Sequence, residues 1–223
     1  MVKSTPLVSV IIPCYNHEKY IGRCIRSLLN QDINKDDYEI IVVDDGSTDN
    51  SSKVLNNFKN DINLIKNDNN YGLPASLNKA IKISRSPFII RVDSDDYVNS
   101  DFISLPLKFL INNSDIDAIA CDYFEVNESE EIIRKVSCDE EPIACGIMFR
   151  IEHIIEIGLY DEEFLLYEEI DLRNRFLKNY KIERLHMPLY RYRQHSNNIT
   201  RNFDAKKKYG ILLDQKHGTN KND

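Results

Sequence analysis

Three short segments of this 223-residue chain gather side chains suited to a charged ligand. Asp44-Asp45-Gly46-Ser47-Thr48-Asp49 and Asp93-Ser94-Asp95-Asp96 each follow an apolar, β-branched run, and Pro13-Cys14-Tyr15-Asn16 follows another. Carboxylates this close repel and raise one another's pKa unless a cation joins them. A hard divalent ion, Mg2+ or Mn2+, satisfies such a cluster when one or two carboxylates and the phosphates of a substrate share it. An EF-hand calcium loop does not fit: Tyr97 stands where an oxygen ligand is needed and Val98 where a glycine is needed. Tyr15 serves either as core packing or as a stacking platform. Ser47 and Asp49, taken singly, read as turn and cap residues.

Further along, Tyr167-Glu168-Glu169-Ile170-Asp171-Leu172 opens a predicted helix. Carboxylates in a first turn are favoured by the helix dipole. Beside a bound ligand, one of them could also act as a general base. His195 follows the basic, aromatic run Tyr190-Arg191-Tyr192-Arg193. A lone histidine there is either a structural hydrogen-bonding group or a ligand.

The elements that must position these residues alternate between two periodicities. Val8 to Ile12, Glu39 to Val43, Asn63 to Lys66, Phe88 to Val92 and Asp117 to Cys121 are short apolar runs that predict strands. Between them, apolar residues recur at helical spacing: Tyr20 to Leu29, Val54 to Phe58, Leu73 to Ile81, and Ser100 to Asn112, the last shortened or kinked by Pro106. Continuous apolar strands alternating with helices predict a doubly wound, mostly parallel α/β sheet covered on both faces. Ligands of such sheets bind beyond the carboxyl ends of the strands, where the acidic segments fall. After residue 122 the pattern loosens. Ile132 to Val136, Cys145 to Phe149 and Leu189 to Arg193 predict strands, and Glu152 to Ile157 and Glu169 to Leu177 predict helices. From Phe203 the chain is polar, with Lys206, Lys207 and Lys208 in a row, and its last dozen residues are expected to fray.

Composition narrows the class. A formal charge of −7 argues against a protein that grips nucleic acid through a basic face. Yet without the nine acidic residues of the three acidic segments, 29 basic would face 27 acidic ones, so the acidity belongs largely to the candidate site. No apolar run approaches the length of a membrane helix, and no signal peptide is expected. The cysteines (Cys14, Cys24, Cys121, Cys138, Cys145) form no C-x-x-C pair and read as reduced, cytosolic thiols, neither a zinc site nor a disulfide framework. A receiver-type phosphoaspartate domain also gathers carboxylates around Mg2+, but about 100 residues with chemistry of their own follow here, beyond what a compact receiver needs.

Five segments together resemble the family 2 glycosyltransferases of GT-A fold: VSVIIPCYN (Val8 to Asn16), VVDDGSTDNS (Val42 to Ser51), NNYGLPASLNKAI (Asn69 to Ile81), FIIRVDSDD (Phe88 to Asp96) and GLYDEEFLLYEEIDL (Gly158 to Leu172). The resemblance implies inverting transfer of a sugar from a nucleotide-diphosphate sugar, a UDP-sugar by default, to the hydroxyl of a glycan or lipid-linked acceptor. It implies one domain over residues 1–202, with a nucleotide-sugar-binding half (1–122), a smaller mixed acceptor half (123–202) and a polar tail (203–223). Pro13, Tyr15 and Asn16 would line the base pocket, Asp44 and Asp45 would lie beside it, Asp45 would accept from the base edge, and Asn78 would contact the nucleotide sugar. Asp93 and Asp95 match the D-x-D element, Asp93 toward the nucleotide, Asp95 toward a divalent metal, and Asp96 close by. His195 would be a second ligand.

Two departures stand out. The position before Asn78, often arginine in the family and a contact to the nucleotide, is Leu77; Arg91 is the candidate for that cationic role. The family's base is typically the Asp of a Glu-Asp pair, and Glu169 occupies that place, one methylene longer. A glutamate so placed implies either an acceptor pocket shaped around it or a weakly active, donor-binding module. The expected setting is cytoplasmic surface-polysaccharide assembly, with peripheral contact to the inner membrane face through the basic tail; oligomeric state is not specified.

Overall fold

The computed structural model describes residues 5–195 and 203–218, with side chains from 206 onward in the second segment. β1 (Val8–Cys14) and β2 (Tyr38–Asp44) are buried along their whole length, because helices cover both faces of the sheet they share. β3 (Asn63–Lys66) and β4 (Phe88–Arg91) flank them, and the four run parallel in the order β3-β2-β1-β4. Successive side chains of a strand point to opposite faces. Val8, Val10 and Ile12 accordingly enter one apolar cluster and Ile11 the other. α1 (Ile21–Leu29), α2 (Ser51–Asn56) and α4 (Ser104–Asn112) close the first cluster. α3 (Leu73–Ile83), α5 (Ile151–Glu156) and α6 (Glu168–Phe176) close the second. Pro106 lies in the first turn of α4, where its missing N–H is tolerated, and the helix begins only at Ser104.

Beyond β4 the sheet becomes mixed. β8 (Ile147–Arg150) lies antiparallel on β4, β6 (Ala118–Val126) lies antiparallel on β8, and β9 (Ile182–Arg193) runs parallel to β6. β7 (Ile132–Val136) pairs with β6, and the two-residue β5 (Tyr97–Val98) pairs with β9. The apolar run at Asp117 to Cys121, expected among the parallel strands, is separated from β4 by β8 and continues to Val126. Its second half was hidden because Asp122 and Glu125 interrupt the apolar pattern. The architecture is the α/β arrangement expected: a mostly parallel half that begins the chain and a smaller mixed half after it.

One expectation is corrected. The segment expected to fray is helical to His217 in α7 (Phe203–His217), and residues 219–223 lie outside the described ones. Tyr209, Leu212 and Leu213 recur at i, i+3 and i+4 and pack against Phe164 and Leu166. The surrounding lysines mask that stripe in the average composition. Lys216 Nζ lies 2.6 Å from Asp161 and 2.7 Å from Asp171, and His217 Nε2 lies 2.8 Å from Asp171. α7 thereby fastens the loop that leads into α6. Among the described residues, no helix is long and apolar enough to cross a membrane.

Gly46 ends β2's turn with φ of +70°, and a Cβ there would lie 2.5 Å from the Asn69 carbonyl carbon. Both the left-handed backbone and the close approach exclude a side chain. Gly46→Ala is therefore expected to destabilise the fold by about 1–3 kcal/mol, read as a lower urea midpoint with an unchanged m-value.

Candidate active site

The carboxyl ends of β1, β2 and β4 open onto a cavity of about 490 Å3. Pro13 and Tyr15 line it from β1, Asp45 from β2, and Arg91, Asp93 and Asp95 from β4 and its following turn. Glu168 and Glu169 enter from the first turn of α6 on the opposite wall. Residues 75 positions apart in sequence thus face one space, because the mixed half folds back over the strand ends.

Arg91 joins the two walls. Its Nε and Nη2 donate to Asp93 at 2.7 and 3.2 Å, while Nη1 donates to Glu168 at 3.0 Å. Arg91 and Glu168 are both almost fully buried. Burial opposes the Arg91 charge, but the neighbouring Asp93, Cys145 and Glu168 outweigh it and drive its pKa further up. Leu77, where a family arginine is often found, is instead buried in the core against the sheet.

Among the described residues, Glu169 has no such cation. Burial, reinforced by the charge of Glu168, pushes its carboxyl up to about 7. That is the range in which a carboxylate can both accept a proton and later release it near neutral pH.

The acidic turn after β4 divides its roles. Asp96 is sealed inside: Tyr190 Oη donates to one oxygen at 2.7 Å and the Arg193 amide to the other at 2.7 Å. Burial first, then the Asp95 and Asp93 charges, push its carboxyl well up. Asp96 consequently ties β9 to the turn and does not line the cavity. Asp95 faces the cavity, with Oδ2 2.8 Å from His195 Nε2. Burial raises its pKa, but the His195 hydrogen bond and the His17 charge prevail and hold it low. Tyr20 stacks on His195 at 5.1 Å and fixes the ring.

Asp95 and His195 are the pair that would hold a divalent cation once the proton they share is displaced. Adjacent ligands of an octahedral ion with bonds of 2.0–2.1 Å lie about 2.9 Å apart, close to the Asp95–His195 spacing. Asp93, Asp96 and Cys145 also lie within 4.8 Å of one another. Cys145 is a soft donor whose thiol burial pushes well up, and Asp96 is already saturated. Of these side chains the Asp95 carboxylate is the donor a hard ion prefers, with the His195 imidazole a borderline ligand beside it.

Asp45 is nearly enclosed. Oδ1 accepts from Asn67 Nδ2 at 2.7 Å and the Tyr71 amide at 3.0 Å, and Oδ2 from the Gly72 amide at 2.9 Å. Of its four acceptor positions, one on Oδ2 is left for a ligand. Tyr15 stays substantially exposed at the mouth. Three residues expected at the nucleotide hold scaffold instead. Asn16 Oδ1 accepts from the Thr48 and Asp49 amides at 2.8 and 3.3 Å. Asp44 accepts from the Ser47 amide and the Ser52 hydroxyl. Asn78 exchanges hydrogen bonds with both backbone groups of Tyr160, at 2.9 and 3.0 Å, and so fixes the loop before α6. None of the three lines the cavity. Burial and the Asp44 charge push the Cys14 thiol up to about 12, which rules it out as a nucleophile.

Sequence reasoning passed over Tyr190 and His17. Tyr190 Oη also accepts from the Asp93 amide at 3.1 Å, and His17 Nδ1 lies 2.6 Å from Ser94 Oγ. The alternation Tyr190-Arg191-Tyr192-Arg193 was the available signal: on a strand it sends Tyr190 inward and Arg191 outward.

A sheet whose strand ends meet a second wall of carboxylates over one cavity is the arrangement of a GT-A glycosyltransferase. Residues 9–143, more than half of the chain, match the family described as Glycosyl transferase family 2, and the chain belongs to that family. It is similar to the poly(ribitol-phosphate) β-glucosyltransferase of Bacillus spizizenii, 46% identical over 98 residues, which are 42% of this chain and 16% of that protein. The poly(ribitol-phosphate) β-N-acetylglucosaminyltransferase TarS of Staphylococcus aureus is 39% identical over 105 residues, 46% of this chain and 18% of that protein. These matches span less than a fifth of either relative's length. The crystal structure of TarS residues 1–349 in complex with UDP superimposes with a TM-score of 0.71 at 25% identity, covering 84% of this chain and 60% of that one.

Removing one partner of a buried charge group leaves the others uncompensated, at a cost of about 3–5 kcal/mol. Arg91→Met is expected to destabilise by that order in chemical denaturation. Adding Glu168→Gln to it should recover part of the loss.

Proposed function

We propose that the protein transfers a sugar, with inversion, from a nucleoside-diphosphate sugar to an acceptor hydroxyl, with Glu169 as the general base. The observation that carries this reading is Glu169 itself: a half-buried carboxyl raised to about 7, without a cation of its own, on the cavity that Asp95 also lines. Family membership and the UDP bound by the similar TarS structure support a UDP-sugar donor. The names of the two relatives support a glycan or polyol-phosphate polymer as acceptor.

In this mechanism the base stacks on Tyr15, and its imide N–H donates to the remaining acceptor position of Asp45. Asp93, its charge balanced by Arg91, faces the ribose. Asp95 and His195 would hold a divalent cation, which supplies positive charge to the diphosphate. Glu169 takes the proton of the acceptor hydroxyl as its oxygen attacks the anomeric carbon from the face opposite the leaving group. The carbon–oxygen bond to the diphosphate breaks, and its electron pair leaves on the nucleoside diphosphate. Electrostatic stabilisation of that leaving group is the largest catalytic contribution. The added methylene of Glu169 moves the proton-accepting oxygen outward, and a misplacement of an ångström costs about 100-fold in rate, so the acceptor must sit correspondingly farther from α6.

Only the ionised form of Glu169 accepts a proton. kcat/KM, measured by nucleotide release, is therefore expected to fall as pH drops through about 7 and to level off above it. Glu169→Gln should lower kcat by about 10²- to 10⁴-fold and abolish that inflection, with donor affinity retained. Full turnover in this variant would remove Glu169 from the role.

The metal assignment is tested separately. A panel of nucleotide sugars should raise the melting temperature only with Mg2+ or Mn2+ present. Chelator or Asp95→Ala should abolish both the shift and turnover; turnover that survives both would exclude the assignment.

A further inference from the structure

Arg173 stands one turn beyond Glu169 on the same face of α6, so their Cβ atoms lie about 6 Å apart. Its half-buried side chain and Glu169 together line a narrow crevice walled by Ile143, Ala144 and Tyr160. Ile143, Ala144 and Glu169 also line the main cavity, so the two spaces share a wall. The crevice, of about 10 Å3, holds no more than a water. A ligand must therefore meet Arg173 from the rim, in continuation of the path that brings a hydroxyl to Glu169.

Among the described residues, the Arg173 side chain makes no ion pair and no hydrogen bond. Neighbouring guanidinium groups are all committed. Arg91 holds Asp93 and Glu168; Arg175 holds Asp171 and the carbonyls of Ile157 and Leu159; Arg184 holds Asp122. Arg26, which also lacks a partner, is exposed on α1, where water serves it. Burial works against the Arg173 cation, and Cys138, Glu169 and Asp139 only partly offset it. An arginine stays charged at any working pH and presents a planar fork suited to a bidentate oxyanion. Glu169 cannot fill that need through a catalytic cycle in which it becomes protonated.

We infer that Arg173 binds an oxyanion of the acceptor, a phosphodiester or a carboxylate, about one sugar or polyol unit from the hydroxyl presented to Glu169. This rests on the transfer reaction proposed above and adds to it the chemical class of the acceptor: an anionic polymer. Arg173 confers affinity for that polymer and takes no part in proton transfer.

Binding without turnover tests it. The probes are a ribitol-phosphate tetramer linked by phosphodiesters, a glucuronate-containing tetrasaccharide and a neutral tetrasaccharide, each titrated calorimetrically into the full chain with UDP and Mg2+ present. At least one anionic probe is expected to bind ten-fold or more weakly to Arg173→Ala and Arg173→Gln, with partial recovery in Arg173→Lys. UDP affinity and the melting temperature should be unchanged, and the neutral probe should not distinguish the variants. The probe that loses affinity identifies phosphate or carboxylate. Equal affinity of wild type and both neutral variants for the two anionic probes, or no binding of either by the wild type, overturns the inference. Failure of the wild type to transfer sugar would instead count against the Glu169 mechanism, which these titrations do not read.

Discussion

The buried guanidinium of Arg91, held between Asp93 and Glu168, is the interaction on which the two halves of the site depend. Asp93 belongs to the turn after β4 and Glu168 to the first turn of α6, so one side chain fixes the strand-end wall of the cavity against the α6 wall. Taking three charges out of water is costly, and the attraction between them repays it only when geometry and hydrogen bonds are good. Three of the guanidinium nitrogens are engaged here at 2.7 to 3.2 Å. A lysine offers one compact charge and no fork, and could not serve both carboxylates in the same way. The group still carries one excess negative charge, which suits a cavity built to receive cations or hydroxyl protons and not a bare anion.

That commitment also differentiates two adjacent glutamates. Glu168 is paired with Arg91 and almost fully buried. Glu169 is left with a carboxylate beside it and, among the described residues, no cation within ion-pair distance, and its carboxyl rises to about 7. Two adjacent carboxylates, one committed to an arginine and one raised toward neutrality, can take different roles on one helix turn. The dipole of α6 favours negative charge at both positions, so the difference comes from the side chains around them. Had Arg91 faced Glu169, the Glu169 carboxyl would be a weaker proton acceptor and Glu168 would lack its cation.

Much of this was legible in the sequence, and the exceptions have physical causes. The strand ends could be read because β1, β2 and β4 are buried on both faces and therefore appear as unbroken apolar runs ending abruptly in polar residues. The convergence of Asp95 and Glu169 on one cavity followed from resemblance, not from spacing, since the antiparallel insertion of β8 leaves no local signature. α7 was missed because three apolar residues on one face of a helix vanish in a lysine-rich average. Asn16, Asp44 and Asn78 drew attention as polar residues at strand ends and helix faces. A polar residue in such a place can as well satisfy the backbone of the next loop, and only the hydrogen-bond partners separate the two uses.

The same partners show how an acidic chain makes a small working site. Asp49 accepts from the Glu18 and Ser51 amides, Asp44 from the turn that follows it, and Asp171 from Arg175, Lys216 and His217. Asp96 is sealed beneath Tyr190, while Asp93 and Glu168 share Arg91. Of the nine clustered carboxylates, Asp45, Asp93, Asp95, Glu168 and Glu169 line the cavity, and of these Asp45, Asp95 and Glu169 are not held by Arg91. They stand on three different elements and differ in environment: one acceptor position in an enclosed carboxylate, one carboxylate held ionised by histidine, and one raised toward neutrality. The surplus of acid in the sequence is therefore mostly scaffold, and its function is to hold those three apart in space.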